Sequence, residues 1–119
     1  MSEEDFTGTK GLRIHMRSWS DGAPPRAILA IVPGFNSHSG QYDAPARAFA
    51  AAGLAVASVD LRGRGKSEGP RFHVDSFGDY VSDAAQMVQI MRDRHPALPV
   101  FLMGHSAGGV IASSYAMEA

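Results

Sequence analysis

The segment PVFLMGHSAGGVIA, residues 99–112, decides how the rest of this chain is interpreted. Its apolar first half predicts a short buried strand, and its small, apolar second half predicts a helix. Between them, Gly104, Ser106 and Gly108 form a G-x-S-x-G pattern, which in a strand–turn–helix context predicts a nucleophile elbow. Such a turn is so tight that only very small residues fit beside the serine, and it holds the serine hydroxyl out above the end of the strand. The pattern therefore predicts that Ser106 is a catalytic nucleophile. The alternative, a turn whose serine only caps the helix, does not explain a glycine on each side of it.

Composition excludes several classes of function. The chain has 119 residues, a net charge of −1 and no cysteine. The charge balance argues against a nucleic-acid partner, and the lack of cysteine excludes disulfides and thiolate metal sites. The acidic start, MSEED, has no apolar stretch typical of a secretory signal, and no run is long enough to span a membrane. We therefore predict a cytoplasmic protein with no integral membrane segment, no cofactor and no metal.

The order of the predicted elements indicates an α/β fold. An antiparallel hairpin is predicted over residues 6–20. After it, apolar strands at 27–32, at 54–59 and before the G-x-S-x-G pattern alternate with helices that begin at Asp43 and Ser76. Each of these two residues is predicted to cap its helix. For Ser76, Asp79 is the predicted capping-box partner. Alternation of helices with apolar strands predicts a mostly parallel sheet with flanking helices and an antiparallel first hairpin.

Acyl transfer by a serine also needs hydrogen-bond donors for the oxyanion that forms on the substrate. The backbone N–H of Ala107, directly after the nucleophile, is the first candidate. The second donor is expected from the loop that follows the strand at 27–32. Pro33 opens that loop and has no N–H, so we assign the second donor to the backbone N–H of Phe35.

Three segments together resemble a known family. They are GFNSHSGQY (34–42), DLRGRGKSEGPR (60–71) and HPALPVFLMGHSAGG (95–109). The chain resembles the amino-terminal part of the monoacylglycerol lipase and lysophospholipase-like α/β-hydrolases, which are serine hydrolases. The resemblance implies that residues 1–119 form the amino-terminal part of one α/β-hydrolase domain. It also implies hydrolysis of lipid-like carboxylic esters, of monoacylglycerol or lysophospholipid type, through an acyl-enzyme on Ser106, and it supports Phe35 and Ala107 as oxyanion donors.

The chain departs from the family pattern in two respects. The family usually has a histidine where this chain has Pro33, although a donor two residues later still allows an oxyanion hole. In the family, the triad acid and base follow the serine, and a cap covers the site. We expect these parts to come from the remaining carboxy-terminal part of the same hydrolase domain, so that the chain alone hydrolyses esters poorly or not at all. The alternative is a non-catalytic interaction module whose partner surface is the exposed edge of the elbow strand.

None of the five histidines has a carboxylate partner that is evident from the sequence. His38 matches a loop histidine of the family near the site, and a structural role is favoured over that of a general base. His15 is predicted at a surface or half-buried strand position, and His73 and His95 in loops. His105 is expected to point away from Ser106.

The segment GRGKS, residues 63–67, resembles the end of a phosphate-binding loop. That motif requires glycine where this chain has Asp60, so nucleotide binding is excluded. The two glycines are instead predicted to provide turn geometry. Arg62 and Arg64 are expected to be solvated or paired locally. Asp60 ends a strand and could orient another group, whereas the family resemblance implies that it belongs to a structural loop.

Overall fold

The structure, a computed structural model, describes residues 1–34, 38–69, 77–104, 108–109 and 111–113. Its strands are β1 (Ser2–Thr7), β2 (Arg13–Trp19), β3 (Ala27–Val32), β4 (Leu54–Val59) and β5 (Val100–Gly104). Its helices are α1 (Asp43–Ala51) and α2 (Phe77–Arg94), with 3₁₀ turns at Thr9–Gly11 and Ser39–Tyr42. Residues 108–109 and 111–113 also have helical backbone.

The five strands form one sheet in the order β1-β2-β4-β3-β5. The β1–β2 and β2–β4 pairs are antiparallel, whereas β4–β3 and β3–β5 are parallel. The predicted α/β class, with its antiparallel first hairpin, is therefore confirmed.

Helices cover both faces of this sheet. On one face, Ala46 and Ala50 of α1 pack with Leu29 and Ile31 of β3. On the other face, α2 packs on Ile28, Ala30 and Val32 together with Ile111 and Ala112 of the last helical residues. Burial on both sides explains why β3 is a continuous apolar run and why β4 is apolar except at Ser58, whose hydroxyl donates to the Ile31 carbonyl.

The first hairpin begins earlier than predicted, because β1 starts at Ser2 rather than near Phe6. Two of the three acidic residues of β1 lie opposite basic residues of β2, with Glu3 paired to Arg17 and Asp5 paired to His15, whereas Glu4 lies opposite Met16. Cross-strand pairs of opposite charge stabilise a strand that its own residue preferences disfavour.

The Glu3 carboxyl has a perturbed pKa. The Lys66 ammonium donates to its Oε1 over 3.0 Å, and His15 Nε2 lies 3.0 Å from the same oxygen. These two hydrogen bonds lower the pKa of Glu3 from 4.5 to about 2, with the bond from Lys66 as the larger cause.

A pH dependence of stability follows from this shift. Because the pKa is lower in the folded protein, ionised Glu3 stabilises it above pH 4.5, and this contribution disappears as the pH falls towards 2. We expect Glu3→Gln to lower the melting temperature at pH 6, with a difference from wild type that shrinks between pH 4.5 and 2. Because Glu3 is exposed, high salt should also reduce the difference. Thermal unfolding monitored by circular dichroism measures both effects, and a difference that is independent of pH would contradict the assignment.

The predicted cap at Asp43 is wrong. Asp43 is the first residue of α1, and its backbone N–H donates to the carbonyl of Gly40 in the preceding 3₁₀ turn. Its carboxylate instead accepts hydrogen bonds from Trp19 Nε1 and Arg47 Nε, each over 2.8 Å. The turn runs directly into the helix, so Asp43 already lies inside it, and its carboxylate is bonded to Trp19 and Arg47 rather than to an amide of the first helical turn. Ser76, predicted to cap α2, lies outside the described residues.

Strand β5 is more exposed than a buried strand. In the described part of the chain it pairs with β3 only, and the Phe101 side chain is 58% exposed. The expectation that the elbow strand has an apolar exposed edge in this chain is therefore confirmed. Among the described residues, no helix is both long and apolar enough to cross a membrane.

Candidate active site

The three residues predicted to do chemistry, Ser106, Phe35 and Ala107, lie outside the described residues. The elements on either side of them are described. Strand β5 ends at Gly104, and helical backbone is present from Gly108. The described flanks of the motif thus agree with the prediction, with a strand before it and helical backbone after it.

Close backbone contacts explain the glycines of the motif. A Cβ atom on Gly108 would overlap the carbonyl oxygen of Val32 and lie 2.6 Å from that of Pro33. A Cβ atom on Gly104 would lie 2.5 Å from the backbone nitrogen of Gly109. Real Cβ atoms do not approach other atoms so closely, so both positions require glycine because of space.

The same contacts bring the two halves of the candidate site together. Val32, the last residue of β3, pairs with Gly104, the last residue of β5. The carbonyl of Pro33 lies beside Gly108, where the helix begins. The loop expected to carry the second oxyanion donor therefore leaves the sheet next to the turn that carries Ser106.

The sheet topology at this point is the one at which α/β proteins usually have a ligand-binding crevice. The chain leaves β3 towards α1 on one face and leaves β5 towards helical residues on the other face. Parallel α/β sheets bind ligands where neighbouring strands send their connections to opposite faces, beyond the carboxyl ends of those strands. In this chain that position lies beyond Val32 and Gly104.

His38 has a structural role in the loop after β3. Its Nδ1 accepts a hydrogen bond from the Gly40 backbone N–H over 3.1 Å, and its own N–H donates to Gln41 Oε1 over 3.3 Å. These reciprocal bonds cap the 3₁₀ turn. With Nδ1 committed as an acceptor, His38 serves the turn, in agreement with the structural role favoured above.

Asp60 lies at the carboxyl end of β4 and is fully buried. Its Oδ1 accepts from the backbone N–H of Ser39 over 2.6 Å and from the Ser39 hydroxyl over 2.7 Å. Its Oδ2 accepts from the Lys66 backbone N–H over 2.9 Å. Asp60 therefore joins its own loop to the loop after β3, and it is a structural residue as predicted.

Arg62 and Arg64 are buried, so the expectation that they are solvated is wrong, although Arg64 does donate locally to the Arg62 carbonyl over 3.2 Å. Arg62 forms a two-pronged pair with Asp83 of α2, with Nε and Nη2 each donating over 2.8 Å. Arg64 donates to the Tyr80 hydroxyl over 2.9 Å. Because the partners come from α2, the sequence near the arginines gives no sign of them. The φ angles of 76° at Gly63 and 53° at Gly65 confirm the predicted turn geometry.

Burial affects the ionisation of the Arg62–Asp83 pair. It raises the pKa of the Asp83 carboxyl, and the hydrogen bonds from Arg62 oppose that rise. The hydrogen bond to Asp83 raises the pKa of Arg62. The pair fastens the loop after β4 to α2 by a contact that depends on both charges.

His15 is buried rather than exposed or half-buried, and it does have carboxylate partners. Its Nδ1 lies 2.7 Å from Asp5 Oδ1, and its Nε2 lies 3.0 Å from Glu3 Oε1. With both ring nitrogens engaged by β1, His15 is not available as a base for Ser106. The cross-strand charge pattern, with acidic residues at 3 and 5 opposite basic ones at 15 and 17, is the signal that could have revealed these contacts.

The remaining histidines do not complete a triad in the part of the chain that the structure describes. His95 follows the end of α2, and its backbone N–H donates to the carbonyl of Met91. His73 and His105 lie outside the described residues. Within the described residues, no group of three histidine, aspartate or glutamate side chains could hold a metal ion.

Comparison with known proteins agrees with the fold. The family model Hydrolase_4, described as serine aminopeptidase, S33, matches residues 23–119. A monoacylglycerol lipase of Mycolicibacterium smegmatis is 39% identical over 114 residues, which cover 96% of this chain and 41% of the relative. A human monoglyceride lipase is 40% identical over 108 residues, which cover 91% of this chain and 36% of the relative.

A solved structure is similar over the same extent. The crystal structure of a highly thermostable carboxyl esterase from Bacillus coagulans, in complex with glycerol, has a TM-score of 0.89 and 29% identity. The match covers 97% of this chain and 39% of that chain. The chain thus spans about two-fifths of the length of these relatives. Since the family model matches most of its residues, the chain belongs to the Hydrolase_4 family of α/β-hydrolases, and the resemblance drawn from its motifs is confirmed.

Proposed function

We propose that this chain supplies the nucleophile and the oxyanion hole of a serine hydrolase that cleaves carboxylic esters. The observation that carries the proposal is that β3 and β5 end side by side at Val32 and Gly104, with the Val32 and Pro33 carbonyls against Gly108. Residues 105–107 connect β5 to the helical backbone at this point, and Ser106 is the central one.

The proposed reaction follows from the chemistry of these groups. The Ser106 Oγ attacks the carbonyl carbon of the ester, its proton passes to a base, and the carbonyl oxygen becomes an oxyanion. The backbone N–H groups of Ala107 and Phe35 stabilise that oxyanion, and loss of one such donor lowers kcat by roughly 10²–10³-fold in serine hydrolases. Collapse of the intermediate expels the alcohol, which takes the proton from the base. Water then hydrolyses the acyl-enzyme.

The base and the acid are proposed to be a histidine and a carboxylate from the remaining carboxy-terminal part of the same hydrolase domain. His15 and His38 are committed to Glu3, Asp5 and Gly40, so neither serves this purpose. Residues 1–119 would then be the amino-terminal part of that domain. The relatives named above as monoacylglycerol and monoglyceride lipases favour a lipid-like ester, such as a monoacylglycerol, as the substrate.

A chimeric enzyme tests the proposal. In it, this chain replaces the matching segment of the M. smegmatis monoacylglycerol lipase, so that the relative supplies whatever follows that segment. We expect the chimera to release fatty acid from a monoacylglycerol and to react with a fluorophosphonate probe. Both properties should be lost in Ser106→Ala, because the attacking oxygen is gone.

Ser113→Ala is the matched control, since Ser113 is an exposed serine on the helical backbone after the turn. It should keep full activity and labelling. The purified 119-residue chain should hydrolyse a p-nitrophenyl ester poorly. A folded chimera that neither turns over substrate nor takes up the probe would support the non-catalytic interaction module instead.

A further inference from the structure

We propose that Asp60 is a positioning residue for the oxyanion hole and acts through Ser39. This inference rests on the proposed function and goes beyond it, because Asp60 is neither the nucleophile nor an oxyanion donor. Its task is to fix the far end of the loop after β3, the loop to which Phe35 belongs.

The contacts of Asp60 connect two loops through one carboxylate. One oxygen takes both the backbone N–H and the hydroxyl of Ser39, over 2.6 and 2.7 Å, and the other takes the backbone N–H of Lys66 over 2.9 Å. A carboxylate accepts on both oxygens, so it serves both loops at once. The isosteric amide of asparagine would turn its NH₂ group towards one of these donors.

Arg17 of β2 completes the cluster. Its Nη1 donates to the Ser39 Oγ over 2.7 Å and lies 3.9 Å from Asp60 Oδ1. The serine hydroxyl therefore accepts from Arg17 and donates to Asp60, which fixes its orientation. Ser39 and Asp60 are both fully buried. Charged groups are seldom buried unless they are paired and hydrogen-bonded, so burial of Asp60 depends on its hydrogen bonds to this cluster.

Glycine at position 65 allows the loop after β4 to close around the carboxylate. A Cβ atom on Gly65 would lie 2.6 Å from Asp60 Cγ and 3.1 Å from His38 Cβ. The loop after β3 and the loop after β4 are therefore in close contact at Asp60, and a shift of one loop displaces the other.

The loop after β3 is held at both ends. At its start, the Val32 and Pro33 carbonyls contact Gly108, and further along Ser39 is bonded to Asp60. Only residues 34–38 lie between these anchors. Misplacement of a group in an active site by about 1 Å can cost on the order of 10²-fold in rate. Release of the Ser39 anchor should therefore impair stabilisation of the transition state more than binding of the substrate.

The test uses Ser39→Ala and Asp60→Asn in the chimeric enzyme, with Ser58→Ala as the matched control. Ser58 is also fully buried and donates one hydrogen bond, to the Ile31 carbonyl over 2.9 Å, but it lies within the sheet. We expect Ser39→Ala and Asp60→Asn to lower kcat for a p-nitrophenyl ester by roughly 10–100-fold with KM nearly unchanged. Binding of a trifluoromethyl ketone, whose adduct carries the oxyanion, should weaken by a similar factor. Ser58→Ala should lower the melting temperature but change neither quantity.

Equal kcat values for the Ser39→Ala, Asp60→Asn and Ser58→Ala variants, well below their melting temperatures, would overturn the inference. So would a rise in KM at unchanged kcat. Ser39→Ala keeps the charge of Asp60 and its hydrogen bonds from the backbone N–H groups of Ser39 and Lys66. If Asp60→Asn does not fold, the kcat of this milder variant alone tests the positioning role. If unmodified chimera shows no Ser106-dependent turnover, the proposed function fails. If it turns over and the two variants match it, only the positioning role fails.

Discussion

Replacement of Gly108 with alanine is expected to lower the free energy of unfolding by about 3 kcal/mol or more. The added methyl group collides with backbone atoms, which cannot move aside as a flexible side chain could. The new methyl group would overlap the Val32 carbonyl oxygen and press on that of Pro33. The start of the helix must then separate from the end of β3. We expect the melting temperature to fall by about 10 °C or more, and hydrolysis by the chimeric enzyme to be lost with it.

Gly109→Ala is the matched control, one position along the same backbone. Among the described residues, the nearest atom to a Cβ there is the Gly104 carbonyl oxygen at 3.7 Å, an ordinary contact. Alanine also favours helix over glycine by up to about 1 kcal/mol, so this variant should be neutral or stabilising. Similar melting temperatures for the two variants would show that space around Gly108 is not what requires glycine.

Removal of one partner of the Arg62–Asp83 pair is expected to have the second large effect. Asp83 is 0% exposed and Arg62 is 3% exposed, so Asp83→Ala leaves a guanidinium without its main counter-charge in the interior. Such a loss typically costs about 3–5 kcal/mol. Urea unfolding followed by circular dichroism should show this loss for Asp83→Ala and a similar one for Arg62→Met.

The double variant, Arg62→Met with Asp83→Leu, distinguishes the stability that comes from the charge pair from the stability that comes from side-chain packing. Apolar replacement of both partners removes the stranded charge, so the double variant should be more stable than either single variant. Additive losses would indicate that the two side chains act independently, despite the two 2.8 Å hydrogen bonds between them.

Strands β3 and β4 were predictable to the residue because burial on both faces produces a run of small and apolar residues with clear ends, interrupted only by the buried Ser58 of β4. Pro33 follows the first run, and Gly53, with φ of 97°, precedes the second. Strand β1 was predicted to begin too late, because acidic residues have low strand preference and its stability comes from Arg17 and His15 across the ladder.

The candidate site was predictable in its local part only. The glycines flanking Ser106 belong to a short contiguous motif that could be recognised in the sequence, although the Val32 and Pro33 carbonyls that require Gly108 come from a distant segment. The buried partners of Arg62 and Asp60 come from segments far along the chain, α2 and the 3₁₀ turn, and no local pattern indicates them. Sequence analysis therefore identified Asp60 as structural without finding Ser39, which its carboxylate binds twice.

The pairing of β5 with β3 also bears on the order of events during synthesis of the chain. Val32 and Gly104, the last residues of these two strands, are paired although α1, β4 and α2 lie between them in the chain. Contacts that close long loops form late, because the entropy of the intervening chain opposes them. If the proposed function holds, a nascent chain would contain Ser106 before this pairing forms, and ester hydrolysis would begin only once β5 has joined the sheet.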